Sequence, residues 1–444
     1  MGRPPQGEAA ERRGYDGRVT PTATPPDAHG FAVAKSSAWV LLREIWRFSL
    51  AIAATAILGK GLSEAAFGFL TLVATLYAFG QVVLDHGVGT ILTRDIARRP
   101  EDEAALLAEA AGWRVIVGLG LAVVIAVFAV VRRDGAETAW LLGVAATMPL
   151  LAPSVFGVAC LVRQDLGPVS LIASSTQAGF LAMAFAGTAL GVPGPAFASL
   201  HMVRETVGPW ILARVVATKY ALSIRPRRPG ALLFGRFSAV GAQAVTSLAV
   251  AASTHVGVLL VEARCDPAAL GAYGAAIRLT LPFSLLVAAM TQPLLPALSS
   301  LWTRDVAAFR RRLAGVLAFG ACVGVAGLLV TGMAGPSVVA MLYGGKYLAD
   351  GGNAAHVIAW AGGAFCAVCL GAPSTTALVA AGGERQLRNV VLVAFVVNVA
   401  VAIVAIPSLG PAGAAVGLLA GEAVTAVGAT AAVVGLLARR GADA

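Results

Sequence analysis

The chemistry in this sequence lies in ionisable side chains set inside long apolar stretches. Residues 195–218 read as one apolar helix, yet His201, Arg204 and Glu205 sit near its middle, followed by Gly208-Pro209. At about 100° per residue, His201, Arg204, Glu205 and Gly208 share a face. Residues 232–261 carry Arg236, Gln243, Ser247 and Thr254, whose spacing places all four within about 40° of arc. Arg278 lies inside the next apolar segment, with Gln292 nearly in line. Arg43, Arg47, Asp85, Glu109 and Arg114 fall in the first three segments. An arginine at the centre of a bilayer costs about 2.5–3.5 kcal/mol on insertion scales, so such groups face a protein interior or a wet cavity. Arginine presents a permanently charged planar fork that fits phosphate in two places at once. A basic interior therefore points to an anionic substrate, with phosphate the best match. The candidate substrate-binding residues are Arg47, Arg114, Arg204, Glu205, Arg236, Gln243, Ser247 and Arg278. Internal pairing, such as His201 with Glu205 one turn away, and snorkelling arginines are the alternatives.

The elements that must position these groups follow from composition. Of 444 residues, 58% are hydrophobic and 13% charged, and the mean hydropathy is +0.81. A soluble chain would carry about 25% charged residues. Twelve apolar segments are expected as helices, near 37–58, 66–92, 106–131, 139–162, 168–190, 195–218, 232–261, 268–299, 312–334, 354–381, 386–407 and 412–438, because only helices or closed barrels satisfy the backbone in lipid. The expected fold is an all-α integral membrane protein with two six-helix halves around a central cavity. Its parts are a disordered tail at 1–36, a first half at 37–218, a basic linker at 219–231, a second half at 232–438 and a short tail at 439–444. No apolar core precedes about Ala38, so no signal peptide is read at the start.

Lysine and arginine cross membranes poorly. With the N-terminus inside, 20 basic residues outside the spans fall on the cytoplasmic side and five, Lys60, Arg132, Arg133, Arg264 and Lys346, on the other. Both termini and the linker Lys219–Gly230 are thus expected in the cytoplasm. The net charge of +10 reports topology and headgroup contact; no soluble basic domain exists to bind nucleic acid. No outside loop is long enough for a catalytic domain, so an enzyme is not expected. Cys366-Ala-Val-Cys369 has metal-ligand spacing without further ligands, His255 and His356 stand alone, and no metal or cofactor is expected. A short repeat relates the halves: Ser63-Glu-Ala-Ala-Phe67-Gly68 and Asp266-Pro-Ala-Ala-Leu270-Gly271 each open the second helix of a half. Such repeats imply a pseudo-two-fold axis along the membrane normal.

Four stretches carry a family resemblance. They are Ile57-Leu-Gly59 … Phe67-Gly68 … Asp85-His-Gly87-Val-Gly89 … Thr93-Arg94-Asp95-Ile-Ala-Arg98; Leu270-Gly-Ala-Tyr273-Gly-Ala-Ala-Ile-Arg278-Leu279 … Pro293-Leu-Leu-Pro296; Met341-Leu-Tyr343-Gly344-Gly345-Lys346-Tyr347; and Asn398 … Ile406-Pro407-Ser-Leu-Gly410-Pro-Ala-Gly413. In order and spacing they resemble the polysaccharide-biosynthesis flippases of the multidrug/oligosaccharidyl-lipid/polysaccharide exporter superfamily, over about residues 37–438. The resemblance implies a bacterial cytoplasmic-membrane transporter that flips undecaprenyl-diphosphate-linked sugars by alternating access. It implies basic residues in a central cavity, with Arg278 the best match by motif; Arg204 and Arg47 rest on depth and helical face. The partners it implies are the lipid-linked glycan, membrane lipid and polysaccharide assembly proteins. A cation-coupled drug exporter of the same superfamily, with Asp85 or Glu422 as its carboxylate, and a non-transporting membrane scaffold are the other readings.

Overall fold

The computed structural model describes residues 45–132, 135–280, 286–287, 291, 294–349 and 354–442, with side chains undescribed at 132, 231–232, 235–243 and 441–442. Arg43, Gln292 and the side chains of Arg236 and Gln243 therefore lie outside the described residues. Met1–Trp46 forms one unit, of which only Ile45 and Trp46 are described, and Arg47–Ala444 forms another.

Among the described residues the chain is helical. The helices are α1 (45–61), α2 (Glu64–Asp85), α3 (Val88–Arg98), α4 (Glu103–Arg132), α5 (Ala136–Thr147), α6 (Gly157–Val162), α7 (Gly167–Ala189), α8 (Ala198–Tyr220), α9 (Ala231–Arg264), α10 (Pro267–Arg278), α11 (Leu294–Arg304), α12 (Val306–Tyr343), α13 (Ala354–Ala380), α14 (Glu384–Leu409) and α15 (Pro411–Ala442). Nine segments among the described residues are long and apolar enough to cross a membrane. The expected span 195–218 appears as α8, 23 residues long and interrupted in apolar character by Arg204, Glu205, Arg214 and Lys219. The middle of the expected span 268–299 lies outside the described residues.

Three spans differ in form from the sequence expectation. The segment 66–92 breaks where His86 and Gly87 take positive φ of 27° and 84°. There α2 ends and α3 begins, because glycine accepts the left-handed region without a steric cost. The segment 139–162 is helical at both ends but tightens to a 3₁₀ stretch over Met148–Phe156, which contains Pro149 and Pro153. Proline removes the backbone donor that an α-helix needs at those positions. The expected ninth span, 312–334, extends in both directions into the 38-residue α12.

The two halves of the repeat pack on each other. An offset of 203 residues relates Ser63 to Asp266, Ala66 to Ala269, Gly68 to Gly271 and Thr71 to Gly274. Both helices are capped alike: Ser63 accepts from the Ala66 amide and Asp266 from the Ala269 amide. A side chain on Gly68 would strike the Pro267 carbonyl, and one on Gly271 the Glu64 carbonyl, its equivalent by the same offset. Gly274 faces Thr71, its own counterpart. A local two-fold therefore passes between α2 and α10 near Thr71 and Gly274. Small residues let helix backbones approach where lipid supplies no hydrophobic drive.

Beyond the C-terminal end of α2, residues 221–230 are non-helical and lie along α4. The Arg227 amide donates to the Ala108 carbonyl at 2.9 Å, and Gly112 leaves room for the Arg227 carbonyl. Glu109 accepts from the Gly230 and Leu233 amides at 3.0 and 3.1 Å, capping α9 from another helix. Glu109 thus holds the linker. Nearby, Lys219 and the Tyr220 hydroxyl both donate to Asp165 and hold its carboxyl below the usual carboxylate range, the lysine contact being the larger cause.

Gly271→Ala should destabilise the protein by about 1–3 kcal/mol, the usual cost of overpacking, because a backbone carbonyl occupies the space. Gly315→Ala, with nothing within 4 Å, should change stability by less than about 0.5 kcal/mol. Thermal unfolding in detergent compares the two; equal melting temperatures would mean that α2 and α10 do not meet as described.

Candidate functional site

Arg278 ends α10 and its side chain turns back over the Phe67 ring of α2, with the guanidinium carbon 4.9 Å from the ring centroid. Helical side chains lean toward the N-terminus, which accounts for this direction. Phe67 belongs to an aromatic trio with Tyr343 at 5.8 Å and Tyr347 at 5.6 Å. The Tyr347 hydroxyl donates to the Gly59 carbonyl at 3.0 Å. Lys346 donates to the Lys60 carbonyl at 3.3 Å and to that of Leu62, covering the open C-terminal carbonyls of α1. The segment Met341–Tyr347 thereby ties the end of α12 to α1. Among the described residues no carboxylate forms an ion pair with Arg278.

Arg204 lies within electrostatic reach of Arg278. Its guanidinium pairs with Glu205, at 2.9 Å from Nε to Oε1, donates to Gln177 Oε1 at 3.3 Å, and covers the Phe180 ring at 4.9 Å. Tyr77 and Thr147 share a hydrogen bond of 2.5 Å within electrostatic reach of the same pair. His201 does not bond Glu205, the partner that helical spacing offers. Its ring packs against Phe180 at 4.8 Å, and both ring nitrogens are without a hydrogen-bond partner. With Glu205 balancing Arg204, the group carries one net positive charge, centred on Arg278.

The other candidates are placed differently. Arg114 is buried and donates to Ser154 at 2.7 Å and to Asp85. Asp85 stands at the α2 break, beside His86. The His86 ring accepts from the Trp113 indole at 3.0 Å through Nε2, with Nδ1 2.9 Å from the Val83 carbonyl. Arg47 is exposed on α1, its guanidinium 5.1 Å from the Phe48 centroid. Twelve residues of helix, about 18 Å, separate it from Gly59. Ser247 is half-buried on α9, while Thr254 is exposed and donates to the Val250 carbonyl at 3.1 Å.

Sequence reasoning did not assemble a second polar region. Thr246, Ser253, Thr375, Asn398, Glu422 and Thr425 line a cavity of about 220 Å³. Gly413, Gly417 and Gly421, spaced four apart on α15, meet α14 at Ile406, Ala402 and Asn398, and this close packing sets Glu422 and Asn398 in the wall of one cavity. Asn398 donates to the Ser253 carbonyl at 2.9 Å, and its buried Oδ1 has no partner. The signal in the sequence was a carboxylate and an amide inside apolar segments; their place in one cavity depends on the glycine spacing.

The family model for "Polysaccharide biosynthesis protein" matches residues 57–350, more than half of the chain. The chain belongs to that family. Its fold is similar to that of solved transporters of the MOP superfamily. It is similar to an inward-facing multidrug resistance MATE family transporter of that superfamily (15% identity, TM-score 0.71, 89% of this chain and 96% of that one). It is similar to the lipid II flippase MurJ in an inward closed conformation (13%, 0.67, 90% and 87%). A Vibrio cholerae MATE transporter, VcmN, in the bent form also matches (16%, 0.53, 90% and 95%). No curated protein matches. At these identities the structural likeness speaks for the fold, and this family member is a multi-pass membrane protein with a transporter fold.

Arg114→Leu should cost about 2 kcal/mol, between the small worth of an exposed pair and the large loss on breaking a buried one, because Asp85 stays half-exposed. Adding Asp85→Leu should restore part of that stability in thermal unfolding. A single variant as stable as the wild type would remove the strut role of Arg114.

Proposed function

We propose that this protein is a flippase for an undecaprenyl-diphosphate-linked oligosaccharide or a related polysaccharide precursor, working by alternating access in a bacterial cytoplasmic membrane. The observation that carries this reading is Arg278: a guanidinium without a carboxylate partner among the described residues, set on an aromatic ring within reach of Arg204. A cation partly withdrawn from water without a counterion is costly, and an incoming anion supplies what is missing. A diphosphate offers oxygen pairs that fit a planar guanidinium. The family description adds the connection to polysaccharide, and assembly proteins would take up the exported glycan. Arg47, Arg236, Gln243 and Ser247 would then be placed along the path and Arg114 would brace it.

The halves are 37–218 and 232–438, and the charge distribution supports an orientation with the linker and both termini in the cytoplasm. The end carrying Gly59, Gly68, Gly271 and Lys346 then faces outward. There the halves are joined by the glycine contacts, by Lys346 and by Tyr347. Release to the outside requires these contacts to part. Outward transfer of a dianion under an inside-negative potential is favoured by about 4–5 kcal/mol per 100 mV.

The Glu422 cavity favours a second reading, cation coupling. A carboxylate, three threonine hydroxyls and an unpartnered amide oxygen form a set that takes a proton or a monovalent cation. This set would serve a coupled flippase or a drug exporter of the same fold.

In proteoliposomes, Arg278→Ala should abolish movement of a labelled lipid-linked oligosaccharide, and Arg278→Lys should keep part, since lysine retains charge without the fork. Arg204→Ala should also abolish it, and Arg204→Ala with Glu205→Ala should not restore it. Restoration by the double change would show that Arg204 only neutralised Glu205. Absence of glycolipid movement in the wild type, with Glu422-dependent export of a cationic drug, would overturn the flippase in favour of the exporter.

A further inference from the structure

Two polar side chains behind Arg204 are buried with unmet hydrogen-bonding groups. His201 of α8 is 4% exposed and Gln177 of α7 is 8% exposed. Both imidazole nitrogens and the Gln177 Nε2 lack partners. The orientation of the Gln177 amide is set by chemistry: its oxygen accepts from Arg204, so its NH₂ points elsewhere. Phe180 joins them, with His201 packed 4.8 Å from its centroid and the Arg204 guanidinium 4.9 Å from it. Buried polar groups in folded proteins are nearly always satisfied, so two adjacent exceptions call for an occupant.

We propose that Gln177 and His201 form a subsite for hydroxyl groups of the sugar attached to the diphosphate. The inference rests on the flippase reading and deepens it. The uncharged imidazole offers one donor and one acceptor, and the free end of the Gln177 amide offers two donors. A fully deprotonated anion, which only accepts, would leave the imidazole lone pair unmet. A cation would leave the N–H groups unmet, and a lipid chain would leave all of them unmet. A hydroxyl both donates and accepts, and a sugar next to a phosphate brings several. Arg204 is the hinge of the arrangement. Its bond to Gln177 is long, and its guanidinium is partly exposed. When Arg204 turns from Gln177 to the phosphate, the amide and the imidazole are uncovered beside the first sugar. The two arginines hold the charge, and this pair reads what is attached to it.

The test uses the full chain in lipid nanodiscs and two probes, a polyisoprenyl diphosphate and the same lipid bearing one hexose. The wild type should bind the sugar-bearing lipid more tightly than the bare one. His201→Leu and Gln177→Met should each weaken binding of the sugar-bearing lipid by about tenfold, the worth of one hydrogen bond at the upper end of its range, and leave the bare lipid unchanged. His201→Asn, which keeps a donor and an acceptor, should keep part of the preference. His201→Leu should melt no lower than the wild type, since it removes an unmet buried polar group, whereas Gln177→Met also takes the Oε1 acceptor from Arg204 and should melt slightly lower. A deoxy-hexose lipid on the wild type, which needs no variant, should bind about tenfold more weakly than the hexose lipid by the same measure. If the variants or the deoxy probe leave binding unchanged, the two side chains serve buried water and the subsite is overturned. Equal binding of both lipids by the wild type overturns the subsite and leaves the flippase reading standing. Binding of neither overturns both.

Discussion

Contact between α2 and α10 without intervening side chains is the constraint on which the rest of the site depends. Gly68, Gly271 and Gly274 bring the backbones together where any larger residue would meet a carbonyl or a threonine. Within lipid, association rests on close packing and polar contacts, so the absence of three side chains provides the contact surface. Arg278 follows Gly274 by one helical turn and Phe67 precedes Gly68. Their stacking is a consequence of the backbone approach. The aromatic trio, the Tyr347 bond to α1 and the Lys346 contacts extend the same junction.

Three arginines in apolar segments show how the surroundings divide their roles. Arg114 is buried with an ion pair and a hydroxyl, while its Nε has no partner. Arg204 pairs with the adjacent Glu205 and also reaches Gln177. Arg278 has a ring face and no acid among the described residues. Of the three, only Arg278 lacks an acid, so it has the most to gain from an anionic ligand. A transporter needs such a gain to be moderate, since a substrate held too tightly is not released. The neighbouring Arg204–Glu205 pair limits the net charge to one.

The second half uses the same device for a different end. The four-residue spacing of Gly413, Gly417 and Gly421 draws α15 onto α14 and leaves the Glu422 cavity beside that seam. The linker is held in a comparable way, with Gly112 admitting a carbonyl and Glu109 capping α9. Each glycine-made contact thus sets a polar group in place: Arg278, Glu422 or the start of α9.

The sequence by itself determined the helical class, the membrane setting, most span positions and the polar face of α8. Each depends on local properties, namely apolar length and a period of 3.6 residues. The repeat at Ser63 and Asp266 was also legible, but its meaning as a contact was not, because 203 residues separate the two motifs. Tertiary structure alone decided which charges are paired. Arg114 finds Asp85 and Ser154 through the break at His86-Gly87 and the 3₁₀ stretch around Pro153, and neither displacement is visible in a periodic pattern. His201 and Glu205 share a helical face, yet the ring turns to Phe180 on α7. Asn398 and Glu422 line one cavity because α14 and α15 touch. Helical period says which residues share a face; packing between helices decides what that face meets.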